Sequence, residues 1–210
     1  MGSEMCIRDR VSPIKEGCDI NVEPAWEFCT GDPSIIVAVM DEGVMYKHED
    51  LAANMWVNQA ELNGQKGVDD DGNGYVDDVY GYNFAKDQGD ITWTDPEDSG
   101  HGTHVAGTIS AVNNNGIGVC GIAGGSGNND GVKIMSVQAF DGKKSVSVAA
   151  SARAIQYAAN NGASILQCSW GGGAYGSDKA YEDDCRAEVV ALKYFIETER
   201  PGSPLNGGIA

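Results

Sequence analysis

At 210 residues the chain is long enough for one sizeable core, and its length alone does not require two domains. Its 14 Lys and Arg stand against 31 Asp and Glu, a formal net charge of −17. That excess argues against nucleic-acid or anionic-membrane partners, which reward positive charge, and is compatible with cation binding. The longest apolar run, Ile35 to Met40, has the length of a buried strand and is too short to span a bilayer. Six cysteines (Cys6, Cys18, Cys29, Cys120, Cys168 and Cys185) form no Cys-x-x-Cys pair, which argues against a zinc ribbon. Cys120 and Cys168 lie among apolar residues and read as small buried hydrophobes, whereas a Cys18–Cys29 disulfide is left open.

Along the chain, residues 1–10 do not share the pattern of the residues after them and are set aside as a non-native leader. Residues 1–30 carry no charged-then-apolar secretory leader. A short amphipathic stretch from Asn21 to Thr30 contains Trp26 and runs into a Gly31-Asp32-Pro33 turn. Ser34 to Met40 is predicted as a strand whose unbroken apolar character suits a sheet covered on both faces. Residues 45–98 read as a long polar excursion with few periodic elements. His101 to Val112 is predicted as a helix, with small Ala106, Gly107 and Ser110 permitting close approach to the sheet. A glycine-rich loop from Gly116 to Gly131 leads to a strand over Val132 to Val137. Ser147 to Asn160 is a helix stopped by Asn161-Gly162, followed by a strand at Ile165 to Cys168. A second amphipathic helix is expected over Asp183 to Glu199, ended by Pro201-Gly202, and Gly207 to Ala210 reads as the start of another strand. Alternating strands and helices indicate an α/β fold with a mostly parallel sheet flanked by helices.

Two residues carry the chemistry. Asp41 follows the apolar strand and precedes Glu42-Gly43, and His101 opens a glycine-flanked helix within Ser99-Gly-His-Gly-Thr-His-Val-Ala-Gly107. A serine hydroxyl needs a base to take its proton, and that base needs an acid to hold its tautomer and stabilise its charged form. Taken singly, Asp41 reads as a strand-end turn former and His101 as a capping or packing histidine. In this order, with the histidine segment complete, they read as orienting acid and general base. A zinc site using His101 and His104, with Asp41 or His48 as a further ligand, is the rival; it lacks the His-Glu-x-x-His spacing.

These segments, together with Ser169-Trp-Gly-Gly172, resemble the subtilisin-like serine proteases (subtilases), and the likeness extends from about Asn21 onward. The resemblance implies a subtilisin-like α/β domain over residues 11–210, with Asp41 and His101 catalytic. It implies that Ser169, Trp170 and Gly171 form an edge on which a peptide or protein substrate pairs as an added strand, with Gly142 to Ser145 as the opposite edge. It also implies secretion, or a cell-surface or periplasmic location. Family members carry the nucleophile in a Gly-Thr-Ser-Met-Ala setting and an oxyanion-stabilising asparagine after the second helix. Neither is found here, Glu42 replaces the usual small hydroxyl residue beside the acid, and Gln167 stands where asparagine is common. The expectation is therefore a partial domain, truncated before the catalytic-serine half, from a calcium-stabilised endopeptidase. An inactive subtilase-like peptide- or calcium-binding domain is the alternative.

Val68-Asp69-Asp-Asp-Gly-Asn-Gly-Tyr-Val-Asp77-Asp78 suggests the cation. Asp69, Asp71, Asn73, Gly74 and Asp77 match positions one, three, five, six and nine of a calcium loop, although Tyr80 replaces the bidentate Glu of the twelfth position. Clustered carboxylates without a local basic residue need a counter-charge. A second calcium site is implied by the resemblance alone, with Asp50 as its carboxylate and Asn114, in the loop Val112 to Val119, as its amide. Oligomeric state is left open.

Overall fold

The computed structural model describes residues 20–93, 100–142, 144–172, 174–200 and 208–209. The leader at 1–10, Cys6, Cys18 and hence the Cys18–Cys29 pair, Ser99, Gly207, Ala210 and the Pro201-Gly202 stop lie outside these residues.

Five strands form the sheet: β1 (Ile36–Asp41), β2 (Gly81–Asn83), β3 (Lys133–Gln138), β6 (Ile165–Gln167) and β7 (Gly208–Ile209). Their order is β2-β3-β1-β6-β7, and every pairing is parallel. The alternation of side chains along β1 and β3 explains their unbroken apolar character. Ala38, Met40, Met135 and Val137 enter one buried cluster, whereas Val37, Val39 and Ile134 enter another on the opposite face. The first cluster is covered by α4 (Val148–Asn160) and α6 (Arg186–Glu197), through Ile155, Tyr157, Ala191 and Phe195. The second is covered by α3 (His101–Ser110), where Ala106 is wholly buried. The predicted architecture, a parallel sheet between helices, is the observed one.

The elements begin and end for local reasons. Ser147 caps α4 by accepting a hydrogen bond from the Ala150 N–H (3.2 Å). The helix expected at Asp183–Glu199 is instead two, α5 (Asp178–Asp184) and α6, broken at buried Cys185. Ser177 caps α5 at the Ala180 N–H, so the first helix starts earlier than its apolar pattern suggests. After α6, Arg200 donates to the carbonyls of Phe195 and Thr198, acceptors that the helix end leaves open, and to the Ala163 carbonyl just before β6.

The excursion at 45–98 is more ordered than its polarity indicates. A 3₁₀ turn (Ala52–Asn54), α2 (Gln59–Asn63) and the edge strand β2 lie within it. Tyr82 and Phe84 from this region insert into the first cluster beside Tyr157. A short helix α1 (Glu23–Trp26) is held by the Trp26 indole N–H, which donates to the Ile122 carbonyl (2.7 Å). Phe140–Asp141 (β4) and Lys144–Ser145 (β5) form a small antiparallel hairpin after β3.

Candidate active site

β1, β3 and β6 all end at one rim of the sheet, the carboxyl edge where parallel α/β sheets place their ligand sites. Asp41 is the last residue of β1 and is 2% exposed. Its Oδ1 accepts from the Glu42 N–H (2.8 Å), and both carboxylate oxygens lie within hydrogen-bonding distance of His101 Nδ1, at 2.9 and 3.0 Å. Two residues sixty positions apart therefore meet. The carboxylate defines the tautomer, because an acceptor-only group facing Nδ1 requires the proton there and leaves Nε2 as the basic nitrogen. The hydrogen bond to Asp41 is the foremost cause that raises the His101 pKa above its ordinary 6.5; partial burial opposes it, and the charges of Asp41 and Glu42 add to it. The His101 side chain remains 46% exposed, so the ring is anchored on one side and open to solvent on the other.

Two glycines make the contact possible. A Cβ on Gly102 would lie 2.6 Å from the Gly43 carbonyl oxygen and 3.1 Å from Asp41 Cβ, so only glycine lets the first turn of α3 rest on the acid. Gly43 itself adopts φ +103, and a Cβ there would meet the Thr92 carbonyl oxygen at 2.5 Å. The turn after Asp41 is tied down further by the Val44 N–H donating to Ser136 Oγ (3.1 Å) and the Met45 N–H to Thr103 Oγ1 (2.9 Å).

Ser169, Trp170 and Gly171 leave β6 at the same rim, with Trp170 and Gly171 exposed. The Trp170 indole N–H donates to the Met40 carbonyl (2.7 Å), and its ring meets Phe140 of β4 edge-on (centroids 5.4 Å apart). Gly142 lies in the β4–β5 turn and Ser145 ends β5, and this hairpin follows the rim end of β3, as 169–171 follows that of β6. Cys168 packs on the first core cluster, and burial pushes its thiol up to about 11. His104 lies exposed on α3, and among the described residues no cluster of three metal-ligating side chains includes a histidine, which leaves the zinc reading without support.

The acidic loop folds back on α2. Glu61, Asp71 and Asp78 bring one carboxylate oxygen each within 4.8 Å of one another. Asp78 accepts from Asn58 Nδ2 (2.8 Å), Asn73 Nδ2 (3.0 Å) and the Tyr157 hydroxyl (2.7 Å), while Glu61 accepts from the Asp70 and Asp77 N–H groups. Asp71 accepts from the side-chain amides of both Asn58 and Asn73. Burial pushes the Asp78 carboxyl up to about 6, its three hydrogen bonds work against that, and the charge of Asp71 adds to it. Of the predicted ligands, Asp71 and Asn73 face this cluster. Asp69 instead accepts from the Asn73 and Gly74 N–H groups, and Asp77 from the Gly67 N–H. Glu61 and Asp78 were missed because one lies outside the loop spacing and the other falls on no calcium-loop position. At the second predicted site, Asp50 is buried and accepts from Asn115 Nδ2 (2.7 Å) and the Val119 N–H (2.8 Å). It is Asn115, one residue along, that reaches Asp50, whereas the Asn114 amide donates to the Ser126 carbonyl (3.1 Å).

A parallel α/β sheet with a buried carboxylate bonded to a half-open imidazole at its carboxyl rim is an arrangement that serine hydrolases also use. The sequence model of the subtilase family (peptidase S8) matches residues 32–199. Subtilisin-like protease 1 of Plasmodium berghei (strain Anka) is 40% identical over 134 residues, which is 64% of this chain and 21% of that protein. Its counterpart in Plasmodium vivax is 56% identical over 90 residues, 43% of this chain and 14% of that protein. The halolysin-like extracellular serine protease Nep of Natrialba magadii is 34% identical over 154 residues, 72% of this chain and 23% of that protein. Among solved structures, the Aeromonas sobria serine protease superposes with a TM-score of 0.57 at 21% identity, over 80% of this chain and 23% of its own. A lanthipeptide protease does so with a TM-score of 0.53 at 22% identity, over 84% of this chain and 40% of its own. The chain belongs to the subtilase family of serine proteases and aligns with a quarter or less of the length of these curated relatives. No helix among the described residues is long and apolar enough to cross a membrane.

Proposed function

We propose that this chain carries the acid–base half of a secreted, calcium-stabilised subtilisin-type endopeptidase, in which Asp41 orients His101 and His101 activates a serine lying outside residues 1–210. The observation that carries the reading is the bond from His101 Nδ1 to both oxygens of buried Asp41, with the rest of the ring exposed at the rim. His101 Nε2 takes the serine hydroxyl proton as Oγ attacks the peptide carbonyl, then passes that proton to the departing amine. Water, deprotonated by the same nitrogen, releases the acyl group and restores the serine. Among the described residues, the hydroxyls of Ser110, Ser126, Ser136 and Ser151 are engaged with Val132, Asp130, Val44 and Glu188, not with His101. A peptide would lie extended between Ser169–Gly171 and the Gly142–Ser145 hairpin, whose backbone groups supply its partners.

Calcium fits the acidic loop on the chemistry of its donors: the set is all oxygen, and the hydrogen-bond partners of Glu61, Asp71 and Asp78 carry no positive charge. Glu61, Asp71 and Asp78 would hold the ion there, with Asp69, Asn73 and Asp77 shaping the loop. At the second site Asp50 and the 112–119 loop would do so. The ion would supply counter-charge and rigidity, not chemistry. Secretion accords with the extracellular relative and with the acidic surface.

A protein carrying this reading frame beyond residue 210 is expected to label with a fluorophosphonate and to cleave denatured protein, and His101→Ala should abolish both while leaving the fold intact. A folded longer protein that neither labels nor cleaves would instead be the inactive peptide- or calcium-binding domain.

A further inference from the structure

The ladder between β1 and β6 stops short of the acid. Carbonyls of alternate residues on β1 face alternate neighbours: Ile35 and Asp41 accept from Lys133 and Ala139 on the β3 side, and Ile36 accepts from Ser164 on the β6 side. By the same alternation the Met40 carbonyl faces β6, yet the registered pairs end at Val39↔Gln167 and the chain then turns away towards Ser169. The indole N–H of Trp170 fills the gap, donating to the Met40 carbonyl at 2.7 Å, and the edge of its ring rests against Phe140. One side chain thus ties the 169–171 edge to the peptide unit joining Met40 to Asp41, and touches Phe140 in the strand that leads into the opposite edge.

We propose that Trp170 is a positioning residue of the acid–base pair: its N–H substitutes for the missing ladder bond and holds the Met40–Asp41 peptide where the carboxylate can grip His101 Nδ1. Because Trp170 belongs to the edge expected to receive the peptide, filling that edge presses on the same tether, so substrate docking and imidazole orientation are mechanically linked. This inference rests on the reading of Asp41 and His101 as acid and base. Of the elements packed against α3, β1 leads into the charged groups that act on His101, Asp41 and Glu42, and β3 contributes uncharged Gln138 at the rim.

The 210-residue chain has only three histidines, so the titration of each imidazole can be followed by NMR, with His48 and His104 as internal references. Trp170→Phe removes the donor and keeps an aromatic ring. It should lower the His101 midpoint by about half a pH unit or more while His48 and His104 stay in place. Phe140→Leu, which keeps the N–H, should leave the His101 midpoint unchanged. If Trp170→Phe does not fold, β-(3-benzothienyl)alanine at position 170 keeps the ring volume and lacks the N–H. In the longer protein, loss of the donor should reduce kcat about tenfold with KM altered less than about twofold. An unmoved His101 midpoint in the variant without the N–H, alongside a lowered one in Asp41→Asn, overturns the role of Trp170 and leaves the pair standing. A midpoint unmoved even by Asp41→Asn overturns the pair itself, and the proposal with it.

Discussion

Asp78→Asn separates the electrostatic cost of the acidic loop from its packing. Asp78 is wholly buried, and burial lifts its carboxyl from 3.8 to about 6 despite hydrogen bonds from Tyr157, Asn73 and Asn58. At about 1.4 kcal/mol per pH unit, that difference amounts to about 3 kcal/mol. Its sign is set by proton binding. The folded state holds this proton more tightly than the unfolded chain does, so in the metal-free protein stability falls as pH rises from 3.8 through about 6, and the full cost remains above that. Asparagine cannot ionise. It sacrifices part of the acceptor capacity that serves Tyr157 and Asn73, at a cost of about 1–3 kcal/mol, but that cost does not vary with pH. Urea unfolding in EDTA should therefore show the wild-type chain losing ground to the variant by about 2 kcal/mol between pH 4.5 and 7.5, most of the full difference. Parallel stability curves for the two proteins across that interval would refute the reasoning.

Adding calcium should raise the melting temperature of the wild-type chain by about 5–10 °C at a hundredfold excess over Kd. Glu61→Gln and Asp71→Asn should each remove most of that gain, and a melting temperature indifferent to EDTA would dismiss the site. Gly102→Ala should destabilise the fold by about 1–3 kcal/mol and lower the His101 titration midpoint together, since the new methyl must push α3 away from Asp41; urea unfolding and NMR on the same sample check both. In a longer protein that carries the proposed serine, the acid limb of kcat/KM should lie above pH 6.5, because the bond to Asp41 favours protonated His101 and the base works only when neutral. Asp41→Asn should move that limb to lower pH along with a large loss of kcat.

Much of the candidate site was legible because its signals are local. Asp41 could be placed at the end of a strand because six apolar residues in a row, Ile35 to Met40, require burial on both faces, and His101 at a helix mouth because glycine brackets it. Their meeting required only that a strand end and a helix start share one rim, which parallel α/β folds ordinarily provide. The carboxylate cluster proposed to hold the cation was legible only in part. Loop spacing predicts neighbours within the loop, but Asn58, Glu61 and Tyr157 approach it from α2 and α4, and their contribution has no period to detect. The edge strand β2 escaped notice for a related reason: its three residues sit in acidic, glycine-rich surroundings, and what makes them a strand is pairing with β3.

Covalent order and side-chain chemistry were thus enough to specify the buried strands, the helices α3 and α4, and the two residues, Asp41 and His101, that meet at the rim. Folding in three dimensions added what depends on contacts between distant segments: the order β2-β3-β1-β6-β7, the convergence of Glu61 with Asp71 and Asp78, and the reach of Trp170 across 130 positions to Met40. Hydrophobic periodicity reports which face of an element is buried, and it carries no information about which neighbour does the burying. That choice is made by hydrogen-bond geometry and packing once the strands are laid side by side.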